Sequence, residues 1–98
     1  MIIRFVKMTF TADSVEVFLE HFDKNKQQIK DFEGCEYLQV LRDKDNPNII
    51  FSHSWWKSEE DLNNYRKSEF FGGVWKRSKQ LFAAKPEAWS LDVLHNLT

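Results

Sequence analysis

Residues 49–71, IIFSHSWWKSEEDLNNYRKSEFF, contain the most informative pattern in this chain of 98 residues. Residues 49–56 alternate between two faces, as a β-strand does. One face carries Phe51, His53 and Trp55, and the other carries Ile50, Ser52, Ser54 and Trp56. Ser58 and Asp61 follow with the spacing of a helix cap, and Ser68 has the side chain to cap a continuation of that helix. The stretch therefore predicts a strand followed at once by a capped helical region.

A further strand and a first helix are predicted before this stretch. Residues 1–10 are rich in β-branched and aromatic side chains and favour a strand. Asp13 and Glu16 have capping-box spacing and predict the start of a helix whose apolar stripe ends at Gly34. The stripe is formed by Val15, Phe18, Leu19, Phe22, Ile29 and Phe32.

The remaining elements complete a recognisable order. Residues 35–42 predict a second strand, and the polar residues 43–48 predict the turn that joins it to the next strand. Pro86 ends the second helical region, and residues 88–94 predict the last strand. The order strand, helix, strand, strand, helix, strand is the split βαβ, or ferredoxin-like, arrangement. We therefore expect an α+β fold in one domain, residues 1–98, with an antiparallel sheet and both helices on one face.

The apolar residues of the sheet predict a second copy of the chain. Two helices cover only one face, yet large apolar side chains lie on both faces of the first and third strands. Phe5 and Trp55 lie on one side, whereas Val6 and Trp56 lie on the other. An apolar patch of this size left in water favours association. We therefore predict a homodimer formed through the helix-free face.

Charge and composition exclude several classes of partner. Fourteen Lys and Arg residues against fifteen Asp and Glu residues give a net charge of -1, so we expect binding neither to nucleic acid nor to a membrane surface. The first ten residues mix charged with apolar side chains, so no export signal is expected. The only cysteine, Cys35, cannot form an internal disulfide and is expected to be buried and unreactive. The cytoplasm is the expected location.

Histidines and glycines carry weaker signals. His21, His53 and His95 are too widely spaced to indicate a metal site. His21 falls off the apolar stripe of the first helix and is expected to be solvated. Gly72 and Gly73 predict either a break in the second helical region or close packing against its bare backbone.

Three strings in this order resemble the antibiotic biosynthesis monooxygenase superfamily of dimeric α+β barrels. They are IIRFVKMTF at residues 2–10, FEGC at residues 32–35 and WWKSEEDLNNYRKSEFF at residues 55–71. The resemblance spans nearly the whole chain and implies a ferredoxin-like subunit in a homodimer. Family members commonly oxidise quinols or aromatic polyketides without metal or flavin, so the resemblance implies no cofactor.

The resemblance disfavours one branch of the superfamily. That branch degrades haem with an Asn on the first strand, a Trp on the second helix and, ten residues later, a His that binds iron. This chain has Val6, Tyr65 and Trp75 at those positions. Quinol-oxidising relatives often carry His at the position of Tyr65 and again near Glu69, and this chain has neither.

The resemblance also implies a pocket between the helices and the sheet. We predict two catalytic residues there: Tyr65, to hydrogen-bond or deprotonate the substrate, and Arg4, to stabilise negative charge. The residues predicted to bind the substrate are Val6, Met8, Phe22, Ser54, Trp56, Phe71 and Trp75. The predicted function is cofactor-independent monooxygenation of a small aromatic or quinol compound.

Two alternatives stay open. One is a non-catalytic small-molecule-binding or structural dimeric barrel that has lost the chemistry, with Tyr65 in the core and Arg4 paired at the edge. An open pocket lined by both residues favours catalysis, whereas a closed space filled by tryptophan favours this alternative. The other is haem binding through an unexpected ligand, His53 or His21.

Overall fold

One antiparallel sheet with strand order β2-β3-β1-β4 forms the centre of the computed structural model, which describes residues 1–97. The elements are β1 (Ile2–Thr9), α1 (Ala12–Lys30), β2 (Cys35–Arg42), β3 (Ile49–Trp56), α2 (Glu59–Lys67), α3 (Glu69–Lys79) and β4 (Glu87–Asp92). β1 and β3 are the central pair and lie antiparallel, with Arg4 opposite Ser54 and Val6 opposite Ser52. The predicted ferredoxin-like α+β arrangement is confirmed.

Ser68 divides the second helical region into α2 and α3. Its Oγ accepts from the backbone N–H of Phe71 at 3.1 Å and donates to the carbonyl of Tyr65 at 2.6 Å. Ser58 caps α2 in the same way by accepting from Asp61 N at 3.1 Å. Both predicted caps are confirmed, and the bend between the helices lies beside Tyr65 and Phe71.

The ends of α1 differ from the prediction. The helix begins at Ala12 after Thr11, whose side chain makes no capping hydrogen bond, and Asp13 lies in the first turn instead of at the cap. A carboxylate in that turn still interacts favourably with the helix dipole. The helix ends at Lys30, so Phe32 lies beyond it, where its ring packs edge-on against Tyr65 with centroids 5.1 Å apart.

Two groups of buried side chains fill the space between the sheet and the helices. The first contains Met8, Phe10, Val15, Phe18 and Ile50. The second contains Ile29, Cys35, Trp56, Leu62 and Tyr65. Trp56, Phe10 and Ile50 are the most completely buried large side chains. Burial of these apolar side chains is the main contribution to stability.

The helix-free face of the sheet carries a set of stacked rings. Phe5 stacks on His53 with centroids 4.3 Å apart, and Tyr37 stacks on Trp55 at 4.7 Å. Trp55 Nε1 donates to His53 Nε2 at 2.9 Å, and His53 Nδ1 lies 3.2 Å from Gln39 Oε1. A ring that accepts at Nε2 donates at Nδ1, so His53 is neutral in this arrangement. Burial lowers the pKa of His53, consistent with that state.

Two local expectations need correction. β4 ends at Asp92, so Val93 and Leu94, which the prediction placed on the strand, lie beyond it. α3 runs unbroken through Gly72 and Gly73, and a Cβ on either would meet no described atom within 4 Å. The two glycines therefore neither break the helix nor receive a close neighbour from residues 1–97.

The helices have no membrane-spanning character. Among residues 1–97, no helix has both the length and the apolar composition that a transmembrane segment needs.

Candidate functional site

A cavity of about 220 Å³ lies between the helix-facing side of the sheet and the three helices. β1 contributes Arg4, Val6 and Met8, and β3 contributes Ser54 and Trp56. The helices contribute Phe22 from α1, Tyr65 from α2, and Phe71 and Trp75 from α3. All of the residues that the sequence singled out as a site thus surround one cavity. Their roles in that cavity stay predictions.

Small side chains on the sheet explain why the space is not filled. Val6 lies between Ser52 on one neighbouring strand and Ala88 on the other, and Arg4 lies between Ser54 and Ser90 in the same way. Serine and alanine on the helix-facing side leave volume that Leu or Phe would occupy. The result is an apolar cavity with a few polar groups, which is the usual form of a small-molecule site.

Tyr65 lies in the aromatic wall of the cavity. Its ring stacks on Trp56 with centroids 4.8 Å apart and meets the ring of Phe71 edge-on at 4.9 Å. The Tyr65 hydroxyl makes no hydrogen bond within residues 1–97. Within the same residues, every fully buried side-chain N or O atom has a hydrogen-bond partner, so the Tyr65 oxygen is not fully buried. The hydroxyl is therefore accessible from the cavity.

The surroundings of Tyr65 determine its protonation state. Burial, with a smaller effect of the Cys35 thiol, raises the pKa of Tyr65 far above its ordinary value. The phenol is therefore protonated at neutral pH and can donate a hydrogen bond. This state supports the predicted hydrogen-bonding role of Tyr65 and argues against the role of base.

Trp56 and Ser54 form a fixed polar pair in the same wall. Trp56 is only 1% exposed, and its Nε1 donates to Ser54 Oγ at 2.9 Å. Trp75 continues the wall by stacking on Phe71 with centroids 5.8 Å apart and an interplanar angle of 13°. Together these rings present flat surfaces suited to an aromatic ligand.

Arg4 brings a positive charge into the cavity. It is half-buried, and its only side-chain hydrogen bond within residues 1–97 goes from Nη1 to Ser90 Oγ at 2.9 Å. Burial, and to a smaller extent the charge of Arg66, lowers the pKa of Arg4, but an arginine remains charged at neutral pH.

Several cavity residues were not predicted. They include Phe18, Ile29, Leu38, Leu62, Arg66, Val74, Ser78, Pro86 and Ala88. Arg66 is the one with new chemistry, because it adds a second cation at the exposed margin of the cavity. Arg66 directly follows Tyr65 in α2. This was the only feature of the sequence that could have indicated that Arg66 lies near the cavity.

Among residues 1–97, no histidine or cysteine belongs to the cavity lining. His21 was expected to be solvated, but it is partly buried and its Nε2 lies 3.2 Å from the carbonyl of Val74 on α3. His53 lies on the opposite face of the sheet. Cys35 is buried, as predicted, and burial raises the pKa of its thiol, so it is a poor nucleophile. Within residues 1–97, no three His, Cys, Asp or Glu side chains converge as metal ligands do.

Comparison with known proteins places the chain in a family. A sequence model described as "Antibiotic biosynthesis monooxygenase" matches residues 1–76. Over 74 residues the chain is 32% identical to a staphylobilin-producing haem oxygenase of Staphylococcus epidermidis, with 72% of this chain and 70% of that protein covered.

Solved structures share the fold. A conserved protein from Methanosarcina mazei superposes with a TM-score of 0.86 at 22% identity, covering 93% of this chain and 91% of the other. A variant of SnoaB, a cofactor-independent oxygenase from Streptomyces nogalater, superposes with a TM-score of 0.85 at 14% identity, covering 98% and 95%. At these identities the likeness shows the fold alone. Because the family's sequence model covers most of the chain, the chain belongs to the antibiotic biosynthesis monooxygenase family.

Proposed function

We propose that this protein is a cofactor-independent monooxygenase for a small aromatic or quinol compound. The observation that carries the proposal is an open cavity lined by both Tyr65 and Arg4. A structural barrel would fill this space with side chains, whereas here a free phenol and a cation face an apolar chamber. The oxygenases among the similar proteins support the same class of reaction.

The chemistry requires little from the protein. An electron-rich ring that has given up a proton to solvent water reacts with O2 directly, and conversion of a ring CH2 to a carbonyl consumes one O2 and releases one water. The substrate supplies all four electrons, so no external reductant is needed. The rings of Trp56, Phe71 and Trp75 would orient the substrate, and Tyr65 would donate a hydrogen bond to the developing oxyanion. The positive charge of Arg4 would stabilise the deprotonated substrate.

We expect Tyr65→Phe to lower the rate of oxygen consumption at least about 10-fold, since a single oxyanion donor contributes on the order of 10²–10³ in kcat. The assay is an oxygen electrode with a panel of quinols and hydroxylated polycyclic aromatics. Tyr37→Phe is the matched control, because Tyr37 lies on the helix-free face beside Trp55. Oxygen consumption by Tyr65→Phe equal to that of the wild type contradicts the assigned role.

Haem degradation fits the cavity less well, although the haem oxygenase relative keeps it as the second candidate. In the part of the chain that the structure describes, none of the residues around the cavity is His or Cys, and the position implied for the iron ligand holds Trp75. A volume of about 220 Å³ is also below the roughly 300–1,000 Å³ of typical ligand pockets and suits one or two rings. A Soret band on haem titration that is lost in His53→Ala or His21→Ala supports the haem alternative.

The same family also supports a homodimer through the helix-free face. Trp89 and Leu91 on β4 are 42% and 45% exposed in the single chain, beside the stacked Phe5 and His53. In a two-fold dimer formed through this face, the patch of one subunit packs against the same patch of the other, so both copies of the patch become buried. This face does not include the cavity, so each subunit retains its own site.

We expect the wild type to sediment as a dimer at micromolar concentration and Trp89→Glu to sediment mainly as a monomer. A glutamate on this face places two unpaired charges in the interface. Val17→Glu is the control, because Val17 is an exposed apolar residue of α1, on the other side of the sheet. A wild type that sediments as a monomer contradicts the interface.

A further inference from the structure

We propose that the ligand of the cavity is an aromatic carboxylate, whose acid group is held between Arg4 and Arg66 while its ring lies against Trp56 and Tyr65. The inference rests on the proposed function only in using the same cavity. It adds the chemical class of the ligand and places Arg4 on the acid group, so that Tyr65 alone would face the oxyanion at the opposite edge of the ring. It is carried by two cations at one margin of an apolar chamber.

The two cations come from different elements. Arg4 lies on the central strand β1, and Arg66 lies on α2 next to Tyr65. Both line the cavity, and they are near enough for the charge of Arg66 to lower the pKa of Arg4. Two like charges held near each other repel, so the arrangement is favourable when an anion lies between them.

No carboxylate of the described chain supplies that anion. Among residues 1–97, the side chains that line the cavity include no Asp or Glu. The ion pairs formed within residues 1–97 join other residues, such as Lys7 with Glu87 and Arg42 with Glu16, and none includes Arg4 or Arg66. Arg4 has only the neutral hydroxyl of Ser90 as a partner. The positive charge at the cavity margin is therefore uncompensated by residues 1–97.

The apolar part of the cavity lining indicates that the ligand also contains an aromatic ring. Beyond the two arginines, the walls are mostly aromatic and aliphatic, and they include the rings of Trp56 and Tyr65, which stack on each other with an interplanar angle of 27°. An inorganic anion would leave the apolar walls of the cavity uncovered. A flat ring bearing one carboxylate would contact both the arginines and these walls. Guanidinium groups bind carboxylates with paired hydrogen bonds, which sets the orientation of the ring. With the acid group fixed at the margin, the opposite edge of the ring points toward the cavity interior, where the Tyr65 hydroxyl is accessible.

Binding of a redox-inert pair of probes tests the inference without any turnover. The probes are 2-naphthoate and its neutral counterpart 2-naphthamide, and the readouts are calorimetry and quenching of tryptophan fluorescence. We expect the wild type to bind 2-naphthoate about tenfold more tightly than 2-naphthamide, the ratio that about 1.4 kcal/mol gives. The preference should decrease with added salt, because Arg66 lies at the solvent-exposed margin.

Variants of the two arginines test whether these residues cause the preference for 2-naphthoate over 2-naphthamide. Arg66→Gln and Arg4→Gln are each expected to abolish most of the preference for 2-naphthoate while leaving the affinity for 2-naphthamide within about twofold. Arg77→Gln is the matched control, because Arg77 is exposed on α3 and bonds only to Gln80 within residues 1–97. Circular dichroism confirms that each variant is folded.

The outcomes separate this inference from the proposed function. Equal affinity for the two probes, binding of neither probe, or a preference that persists in both Arg4→Gln and Arg66→Gln overturns the inference. Oxygen consumption with neutral quinols alongside equal probe affinities overturns only the inference and leaves the monooxygenase in place. A tight, arginine-dependent naphthoate complex without oxygen consumption on any quinol or any hydroxylated aromatic carboxylate supports the inference and overturns the monooxygenase.

Discussion

Trp56→Ala is expected to lower the free energy of unfolding by about 3–5 kcal/mol, the usual cost of truncating a buried tryptophan. The side chain is 1% exposed and belongs to the core group that contains Leu62 and Tyr65. Its removal deletes the stack on Tyr65 and leaves Ser54 Oγ without the Nε1 donor. Urea unfolding at a fixed protein concentration measures the change, because the proposed dimerisation would make apparent stability depend on concentration.

Trp56→Phe provides the graded control. It retains a ring against Tyr65 but loses the second ring and the hydrogen bond to Ser54, so we expect its loss of unfolding free energy to be about half that of Trp56→Ala or less.

The volume vacated in Trp56→Ala is continuous with the cavity, so added indole should restore part of the stability of that variant alone. A loss below about 1 kcal/mol in Trp56→Ala contradicts the burial of this side chain.

The strand pattern and the helix caps made most of the fold predictable. β2 and β3 have the predicted bounds because alternation of apolar and polar residues, and the polar turn between them, are local properties. Ser58 and Ser68 were identified because a cap depends on residues only three positions apart. The resemblance to the family implied the pocket between the helices and the sheet, and strand alternation predicted only that Arg4, Val6 and Met8 of β1 point toward it.

What could not be predicted depends on contacts between distant elements. Arg66 stands between Tyr65 and Lys67 on a polar helix and has the appearance of a solvated residue in sequence. Only the packing of α2 against β3, the neighbour of β1 in the sheet, brings it to the cavity that Arg4 also lines. His21 is a similar case, because the carbonyl that it contacts belongs to Val74, 53 residues later. Local patterns contain no information on such pairs.

Gly34→Ala is expected to lower the free energy of unfolding by about 3 kcal/mol, a large effect for one added methyl group. Gly34 has a φ of +89°, a conformation that costs other residues about 1–3 kcal/mol. A Cβ at this position would also overlap the side chain of Asp61 in α2. The two effects add, because relief of the overlap requires α2 to move.

Gly72→Ala is the matched control, because the same substitution there places a Cβ in open space on a regular helix. We expect Gly72→Ala to raise the free energy of unfolding by about 0.5–1 kcal/mol. The same substitution would therefore stabilise the protein at Gly72 and destabilise it at Gly34. Unfolding in urea measures both variants. A Gly34→Ala variant within about 0.5 kcal/mol of the wild type contradicts the close contact with Asp61.

The position of Gly34 also links stability to the site. Its carbonyl accepts a hydrogen bond from Lys57 N at 2.8 Å, which joins the loop after α1 to the segment that leads into α2. Displacement of α2 by the added methyl group would move Tyr65 and Arg66 together, since both lie on that helix. Gly34→Ala protein that remains folded at low temperature should therefore lose most of its preference for 2-naphthoate over 2-naphthamide, whereas Gly72→Ala should retain it.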